Sequence, residues 1–380
     1  MSKIGKDQTY SRELNTISII NVLLDSALCG TDLSERLSLS NATVSSILKE
    51  LLSLNLIKVS DTSSLYGKGR KRVVYSINDD YGLILCVNIS NYHARISLCN
   101  LQHVIIKSVD IKIEKYDSSS MYYIILEASK LILSLDKKQP ILNVVISVPG
   151  RVNKQSNELI LSTQFEDELV KDNFISKMFK KQLGDIPVYL INDINLSALG
   201  EQLKGHLKNV TNALYLSVDY GIGGSIIINN QLFDGDKGYA GEFGLMRFNG
   251  VPLDELISIR VLLNQASALL NKEVSRDEIF DLYKTNKDIK EIVLKSASIL
   301  GKSIRELTDV LDISKIVLSG RITRFDKDYF DAVNNELKDA PHIPDILFSE
   351  LKEEGEVIGA AYLGVNKFFE GVVNNRNEKD

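Results

Sequence analysis

The stretch IPVYLINDINLSALGE, residues 186–201, joins a strand pattern directly to a helix pattern. Its apolar first half is typical of a buried strand, and its second half has apolar residues at helical spacing. The polar residues Asn192, Asp193 and Asn195 lie at the junction. An N-cap would explain one or two of them, because Asn and Asp before a helix accept hydrogen bonds from free backbone N–H groups. A ligand site would explain all three, because open α/β sheets bind ligands at the carboxyl ends of their strands.

Strand and helix patterns on both sides of this junction predict an α/β body. Upstream, GLILCVNIS, ARISLCN and HVIIKSVDIKI predict three successive strands, and ILNVVIS predicts a fourth that ends at Val148-Pro149-Gly150. Downstream, NALYLSV, GGSIIIN and KIVLSG predict a second strand group. The predicted helices lie around residues 119–135, 254–270, 276–284, 287–310, 327–338 and 356–370. Two successive strand-then-helix halves favour two α/β lobes with a cleft between them.

Glycines mark the ends of several predicted strands. YGIGGS at 220–225 joins two strands, and either a close backbone approach to a ligand or a plain hairpin turn would explain it. GYAGEFG at 238–244 places one carboxylate, Glu242, among small residues. Gly320 ends the strand KIVLSG.

The first 78 residues predict a winged helix-turn-helix. Two short helices, TDLSERLSLS with Thr31 as its cap and NATVSSILKELLSLN with Ser40 or Asn41 as its cap, follow a longer amphipathic helix. The strand patterns LIKVS and VVYSIN then flank a turn-rich basic tip. The predicted apolar faces contain Leu14, Ile17, Ile20, Leu23 and Leu24 in the first helix and Val44, Ile47, Leu48, Leu51 and Leu52 in the third.

The exposed residues of this segment suit DNA. The polar face of the third helix can hydrogen-bond to base edges or phosphates, and a cationic wing tip suits the DNA backbone or the minor groove. The predicted DNA contacts are Asn41, Thr43, Ser45, Ser46 and Lys49 in the helix and Lys68, Arg70, Lys71 and Arg72 in the wing. Residues 1–78 carry a charge of +3, whereas the rest of the chain carries −8. A protein-interaction module is the alternative for the same fold.

Composition limits the class of protein. The chain has 380 residues, 44% hydrophobic and 25% charged, which is ordinary for a globular protein of two or three domains. No apolar run is long enough for a membrane span, and the first residues lack the apolar core of a secretion signal. Cys29, Cys86 and Cys99 have no close pairing, which indicates buried thiols in a reducing environment. We therefore expect a cytoplasmic protein.

Several motifs together resemble the ROK family of repressors, open reading frames and sugar kinases. They are GKGRKRVVYSIN, ISVPGRVN, INDINLSALGE, YGIGGSIIINNQLFDGDKGYAGEFG and IVLSG, in an order that covers the chain from about residue 14 to 370. The resemblance implies an N-terminal winged helix-turn-helix followed by an actin-like, hexokinase-like two-lobed α/β body, usually dimeric, with sugar in the cleft. The implied domains are residues 1–78, residues 79–206 with a returning helix at about 356–372, and residues 207–355.

The resemblance also implies which residues contact the sugar. Asn192 and Asp193 match the family's Asn-Asp pair, with Asp193 at the position of the general base of the kinases. Glu242 matches the Glu of the GEFGH motif. The implied sugar contacts are Gly150, Arg151, Thr163, Asn192, Asp193, Glu242 and Asp254. We expect the Asn-Asp pair to recognise sugar hydroxyls, which donate and accept hydrogen bonds, and Asn195 to keep the capping role.

The chain departs from the family's pattern in ways that affect its expected chemistry. Residues 88–92, NISNY, replace the phosphate loop of the kinases and lack its magnesium-binding carboxylate and both glycines, and Arg321 replaces a glycine near the nucleotide. We therefore expect no enzyme activity. The cysteine run of the family's zinc site is absent and Leu245 replaces its His, so we expect no metal and no cofactor. In the resemblance, Asp254 also takes the place of a sugar-contacting Glu. Together with Leu245, this leaves open a different sugar, a sugar phosphate or a pocket that has lost its ligand.

These expectations combine into a sugar-responsive transcription regulator. It would be a homodimeric repressor of carbohydrate-utilisation genes, with operator DNA and a sugar-like effector as partners and no membrane association. The effector would bind between the lobes and favour one closure state over the other. The alternatives are a sugar kinase with an appended DNA reader and a DNA-binding dimer whose cleft binds no ligand.

Overall fold

The computed structural model describes residues 3–60, 72–90, 93–136, 138–153, 155–162, 164–171, 173–352 and 354–374. The chain divides into two compact units. Unit 1 comprises Met1–Ser147, Gln164–Tyr189 and Ala360–Asp380, and unit 2 comprises Val148–Thr163 and Leu190–Gly359. The three-domain division with boundaries after residues 78 and 206 stays a prediction.

The N-terminal segment folds as three helices and a small antiparallel sheet. Its elements are α1 Lys3–Asp25, β1 Leu28–Cys29, α2 Gly30–Leu37, α3 Asn41–Ser53, β2 Ile57–Ser60 and β3 Val74–Ile77. The strand order is β1-β3-β2, and β2 pairs antiparallel with β3. Ile20 of α1, Leu33 of α2 and Ile47 and Leu51 of α3 are all buried, and α2 contacts both of the other helices. This is the order of helices and strands that the sequence predicts for a winged helix-turn-helix.

Two local predictions in this segment are wrong. Leu14 was expected on the buried face of α1 but is exposed, and the buried stripe runs through Thr16, Ile19, Ile20 and Leu23. Thr31 was expected to cap α2, but Cys29 is the N-cap residue and makes no side-chain capping bond. The hydroxyl of Thr31 lies 2.9 Å from the thiol of Cys29 instead. Ser40 does cap α3, because its hydroxyl accepts a hydrogen bond from the backbone N–H of Thr43.

The next part of the chain alternates strands and helices up to the INDINLSALGE motif. Its elements are β4 Leu83–Ser90, β5 His93–Asn100, β6 Ile105–Lys112, α4 Ser118–Leu133, β7 Ile141–Val148, β8 Arg151–Asn153, β9 Glu158–Leu161, α5 Asp167–Val170, α6 Phe174–Leu183, β10 Val188–Asn192 and α7 Asp193–Lys204. Five of the strands form a sheet in the order β10-β7-β4-β5-β6. β4 is parallel to β7 and antiparallel to β5, and it is buried along most of its length. This sheet is the core of unit 1, and β7 and β10 continue into residues of unit 2.

The remaining elements build the second sheet and its helices. They are β11 Ala213–Val218, β12 Ile222–Ile228, β13 Gln231–Phe233, a 3-10 helix Phe243–Leu245, β14 Arg247–Phe248, β15 Val251–Pro252, α8 Asp254–Ile257, α9 Ile259–Leu270, α10 Glu278–Thr285, α11 Lys287–Leu311, β16 Lys315–Ser319, a 3-10 helix Arg321–Arg324, α12 Lys327–Asn335, β17 Asp345–Phe348 and α13 Glu354–Asn374. The sheet order is β13-β12-β11-β16-β17, with β11, β16 and β17 parallel. Its apolar core belongs to unit 2.

The helix predicted at 254–270 is wrong in one respect, because it breaks into α8 and α9. Ser258 between them is fully buried and extended, with φ −63° and ψ 151°. Its hydroxyl donates to the carbonyl oxygen of Asp254 at 2.6 Å, which fixes the break. Such a local hydrogen bond competes with the helical ladder. Among the described residues, no helix combines the length and apolar character needed to cross a bilayer.

Candidate functional site

The polar junction of the opening motif is the start of α7, and Asn192 is its N-cap. The side-chain Oδ1 of Asn192 accepts from the backbone N–H groups of Ile194 at 3.0 Å and Asn195 at 3.1 Å. Its Nδ2 donates to the carbonyl oxygen of Gly150 at 3.0 Å, at the turn between β7 and β8. The amide therefore joins two strand ends, β7 and β10, that lie 42 residues apart along the chain.

Asn195, which was expected to keep the capping role, does not cap the helix. Its Oδ1 accepts from the hydroxyl of Ser225 on β12 at 2.6 Å. The prediction for Asn195 is therefore wrong, and the cap belongs to Asn192. Ser225 is buried, so this bond links the first turn of α7 to the interior of the sheet β13-β12-β11-β16-β17.

Asp193 is a half-buried carboxylate at the first position of α7. Its Oδ1 accepts from the N–H of Ile194 at 3.0 Å, and it forms no ion pair within the described part of the chain. Burial raises the pKa of Asp193 to about 6, and hydrogen bonds from backbone N–H groups oppose the shift only in part. The Asp193 carboxylate therefore has no cationic partner among the described residues. Its surroundings favour a ligand that donates a hydrogen bond to it.

Glu242 forms a two-point ion pair with Arg151. Arg151 Nε lies 3.0 Å from Glu242 Oε1, and Arg151 Nη2 lies 3.2 Å from Glu242 Oε2. The guanidinium also lies 5.6 Å from the ring centroid of Tyr239. A planar guanidinium matches a carboxylate in this bidentate geometry and holds it in one orientation. The charge of Glu242 is therefore balanced inside the site.

Glycine contacts bring the segment that carries Glu242 close to α7. Gly241 has φ +90°, and a Cβ there would lie 2.1 Å from the carbonyl oxygen of Gly224 on β12. A Cβ on Gly223 would lie 2.4 Å from Cδ1 of Ile194 on α7. Only glycine combines that φ with so close an approach of two backbones. Together with the Asn192–Gly150 and Arg151–Glu242 contacts, these approaches connect β8, α7, β12 and residue 242 in one continuous set of contacts. All of these residues belong to unit 2. We call Arg151, Asn192, Asp193, Asn195 and Glu242 the candidate cluster.

Asp254 uses both carboxylate oxygens inside the protein. Its Oδ1 accepts from the N–H of Ile222 at 2.9 Å, and its Oδ2 lies 2.9 Å from Arg260 Nη2. It therefore holds the start of β12 against α8. Its sugar-contacting role stays a prediction, and a sugar hydroxyl would have to share or displace these bonds.

The remaining residues that the sequence placed at the sugar site or the zinc site lie in different surroundings. Gly150 lies at the β7–β8 turn, where a Cβ would lie 2.4 Å from the carbonyl oxygen of Leu161. Thr163 lies outside the described residues. Leu245, in place of the zinc-site His, is exposed. The described residues contain no group of three His, Cys, Asp or Glu side chains that could hold a metal ion, and the absence of cofactors stays a prediction.

Four of the five predicted DNA contacts of α3 are exposed. Asn41, Ser45, Ser46 and Lys49 are exposed, whereas the hydroxyl of Thr43 lies 2.8 Å from that of the capping Ser40. Of the wing residues, Lys68, Arg70 and Lys71 lie outside the described residues. Arg72 is exposed, and its Nη1 lies 3.4 Å from Asp32 Oδ1. The roles of all nine residues in DNA binding stay predictions.

Several polar residues of these sites were missed from the sequence. Arg12 of α1 donates to Ser46 at 3.4 Å and pairs with Glu50 at 2.7 Å on α3. Asp219 was missed as well, and it forms an ion pair at the ends of β11 and β16 with Arg321, which was noted only as the replacement of a glycine near the nucleotide. Asp219 stands directly before the glycine-rich YGIGGS motif, so its place at a strand end was a signal in the sequence. The partner of Arg12 had no such signal, because it lies 38 residues away.

Comparison with known proteins gives one consistent relationship. The sequence profile described as the ROK family matches residues 84–367. A protein named xylose repressor from Caldicellulosiruptor bescii is 26% identical, with 93% of this chain and 96% of the relative covered.

Two solved structures show the same fold. A ROK family transcriptional regulator, a homologue of the E. coli MLC protein, superposes with a TM-score of 0.81 at 18% identity, covering 95% of this chain and 98% of that chain. The ROK hexokinase from Thermus thermophilus gives a TM-score of 0.65 at 20% identity over 75% of this chain and 99% of that chain. These likenesses confirm the expected fold class, a winged helix-turn-helix followed by an actin-like α/β body.

Proposed function

Because the chain belongs to the ROK family, we propose that it is a sugar-responsive transcription regulator without kinase activity. It acts as a homodimeric repressor of carbohydrate-utilisation genes, and an uncharged sugar binds the candidate cluster. The relative named xylose repressor supplies xylose as the first effector to test.

The bidentate pairing of Arg151 with Glu242 is the observation that supports an uncharged ligand. Because the charge of the guanidinium is already balanced by a carboxylate bound through Nε and Nη2, a phosphate group would have to compete with Glu242 for it. Asp193 has no cation partner among the described residues, and ionised it would repel a phosphate. A sugar hydroxyl can donate to Asp193 and accept from a remaining N–H of the Asn192 amide. This argues against a sugar phosphate as the effector.

The replaced phosphate loop supports the absence of catalysis. Asn88, where the resemblance places a magnesium-binding carboxylate, lies near the end of β4 with 5% of its surface exposed. An amide has no charge with which to hold the ion. Without magnesium and a phosphate cradle, Asp193 would have no phosphoryl group toward which to direct a hydroxyl. Asp193 therefore serves recognition.

The three helices and antiparallel strands of the N-terminal segment support operator binding. α3 presents exposed hydroxyl, amide and ammonium groups on one face, as a recognition helix requires. Arg12 donates to Ser46 and pairs with Glu50, which fixes α1 against this face.

The test is a paired titration of the wild type and Asp193→Asn. Xylose binding is measured by calorimetry, and binding to an operator recovered by in vitro selection is measured by fluorescence anisotropy. A hydrogen bond to a charged group contributes about 1.5–3 kcal/mol, so Asp193→Asn should weaken xylose binding by roughly tenfold to more than a hundredfold. Operator affinity without sugar should stay the same. Asp309→Asn, an exposed residue with the same charge change, is the matched control.

Each alternative gives a different result. Sugar-dependent ATP turnover in the presence of magnesium, lost in Asp193→Asn, would show a kinase. A wild type that binds the operator but is not stabilised by any sugar in a thermal-shift screen would show a regulator without a ligand, because a ligand of the folded state raises its apparent stability. Loss of operator binding in Asp193→Asn without sugar would contradict the assignment of the candidate cluster to the effector.

A further inference from the structure

The carboxylate of Asp219 is enclosed by hydrogen-bond donors at the end of β11. Its Oδ1 accepts from the N–H of Tyr220 at 2.7 Å and from Arg321 Nη1 at 2.5 Å. Its Oδ2 accepts from the N–H of Arg321 at 3.0 Å. Two backbone N–H groups and one guanidinium thus point at a single anionic group. Donor sets of this kind bind oxyanions such as phosphate.

The backbone at the ends of two parallel strands creates this donor set. β11 and β16 pair in register up to Ser217 and Ser319, so both strands end at the same edge of the sheet. Gly320 follows with φ +84°, and a Cβ there would lie 2.4 Å from the carbonyl oxygen of Val218. This approach, open only to glycine, brings the N–H of Arg321 beside Asp219. The carboxyl ends of parallel strands are the usual ligand edge of an α/β sheet.

Two further arginines surround the same edge. Arg324 Nη1 lies 2.5 Å from Asp277 Oδ1, and the guanidinium of Arg276 lies 4.7 Å from the ring centroid of Tyr220. The pKa of Asp277 is lowered first by its bond to Arg324 and to a smaller extent by the charge of Arg321. The side chains of Arg321 and Asp219 are 35% and 31% exposed, so solutes can reach them.

We propose that these groups form a phosphate-binding cradle in which Asp219 is a built-in anion. The tethered carboxylate competes with dissolved phosphate at an effective concentration of millimolar or more. Nucleotides and other phosphorylated metabolites are therefore excluded from this edge of unit 2. The inference deepens the absence of kinase activity in the proposed function and rests on it in that respect. Its test needs neither a sugar nor DNA, so it can fail while the proposed effector and operator binding stand.

The test removes the built-in anion and supplies a dissolved one. Inorganic phosphate is titrated into the full-length protein and binding is followed by ³¹P NMR line broadening and by thermal shift. The wild type should show no saturable binding, whereas Asp219→Ala should bind phosphate with a Kd of about 10 mM or below. The double variant Asp219→Ala with Arg321→Ala should lose at least tenfold of that gain.

Asp277→Ala is the matched control, because it removes the same charge from the same edge and leaves Asp219 in place. It should bind phosphate no better than the wild type. Asp219→Asn keeps the shape of the side chain and replaces the Ala variant if that variant does not fold. Phosphate binding by the wild type equal to that of the Asp219 variant, no gain in the variant, or a gain that survives the loss of Arg321 would each overturn the proposal.

Discussion

Asp193 shows how a single residue depends on its surroundings. Its pKa is raised to about 6 by burial, although backbone N–H groups donate toward it. Asp in an unfolded chain titrates near 3.9, so between roughly pH 4 and 6 the folded chain binds more protons than the unfolded chain. The stability that Asp193 contributes is therefore largest below the lower value and is lost as the pH rises through about 6.

This shift predicts a pH dependence of effector binding. Ionised Asp193 accepts a hydroxyl better than its protonated form, so xylose affinity should rise by about tenfold between pH 5 and pH 7.5. Calorimetry at a series of pH values measures it, with Asp193→Asn as the variant that should show no such rise. Urea unfolding of the same pair should show Asp193→Asn gaining stability relative to the wild type as the pH rises from 4 to 7. Equal pH profiles for the two proteins would contradict the role of Asp193.

At the scale of elements, α7 is fixed at both ends. Asn192 and Asp193 begin it, and two turns later the fully buried Glu201 accepts from Ser349 Oγ at 2.6 Å and from the N–H of His206 at 2.9 Å. Against its middle lies the first part of α13. A Cβ on Gly359 of α13 would lie 1.8 Å from the carbonyl oxygen of Leu196. The two helices therefore pack backbone against backbone.

Because only one of two glycines in α13 lies at this contact, their substitution by alanine should have opposite effects on stability. Gly359→Ala should destabilise the protein by about 1–3 kcal/mol, because the methyl group forces the helices apart. For Gly371→Ala in the same helix, the added Cβ would meet no atom within 4 Å among the described residues, apart from the backbone of its own helix. It should be neutral or stabilising by up to about 1 kcal/mol, because Ala is the better helix former. Urea unfolding measures both. A Gly359→Ala variant as stable as Gly371→Ala would contradict the close packing.

At the scale of the whole molecule, the two predicted partners belong to different units. The predicted DNA residues lie in unit 1, whereas the candidate cluster lies in unit 2. Charge is also unevenly distributed along the chain, since residues 1–78 of unit 1 carry +3 and the rest of the chain carries −8. Affinity for a polyanion should therefore depend on the few cations of the N-terminal segment.

Changing Arg70 and Arg72 to Ala tests that dependence. Operator affinity should fall for all DNA sequences, and the slope of log affinity against log salt should flatten by roughly one unit per lost phosphate contact. Lys284→Ala with Lys327→Ala, two exposed lysines of unit 2, removes the same charge and is the control. Anisotropy titrations at several salt concentrations measure the slope. If the two double variants behave alike, the effect is one of net charge and the wing is not in the interface.

The sequence by itself determined the order of elements, the winged helix-turn-helix and the strand-to-helix junction at Asn192. These features are local, because hydrophobic spacing and capping residues act within a few positions of the chain. Local spacing also placed Leu14 on the wrong face of α1, since the core is not visible within one segment. The resemblance left the cap of α7 to Asn195, whereas the structure pairs that side chain with Ser225.

Only the tertiary structure decided which polar groups face one another. Arg151 meets Glu242 across 91 residues and Asp219 meets Arg321 across 102 residues, where no periodicity links the partners. Each pair forms because the folded chain brings together segments that are distant in the sequence. The free energy of such a pair depends on its geometry and on its desolvation in place. The folded structure also places no cation partner beside Asp193 among the described residues. Asp193 is therefore the hydrogen-bond acceptor on which the proposed function depends.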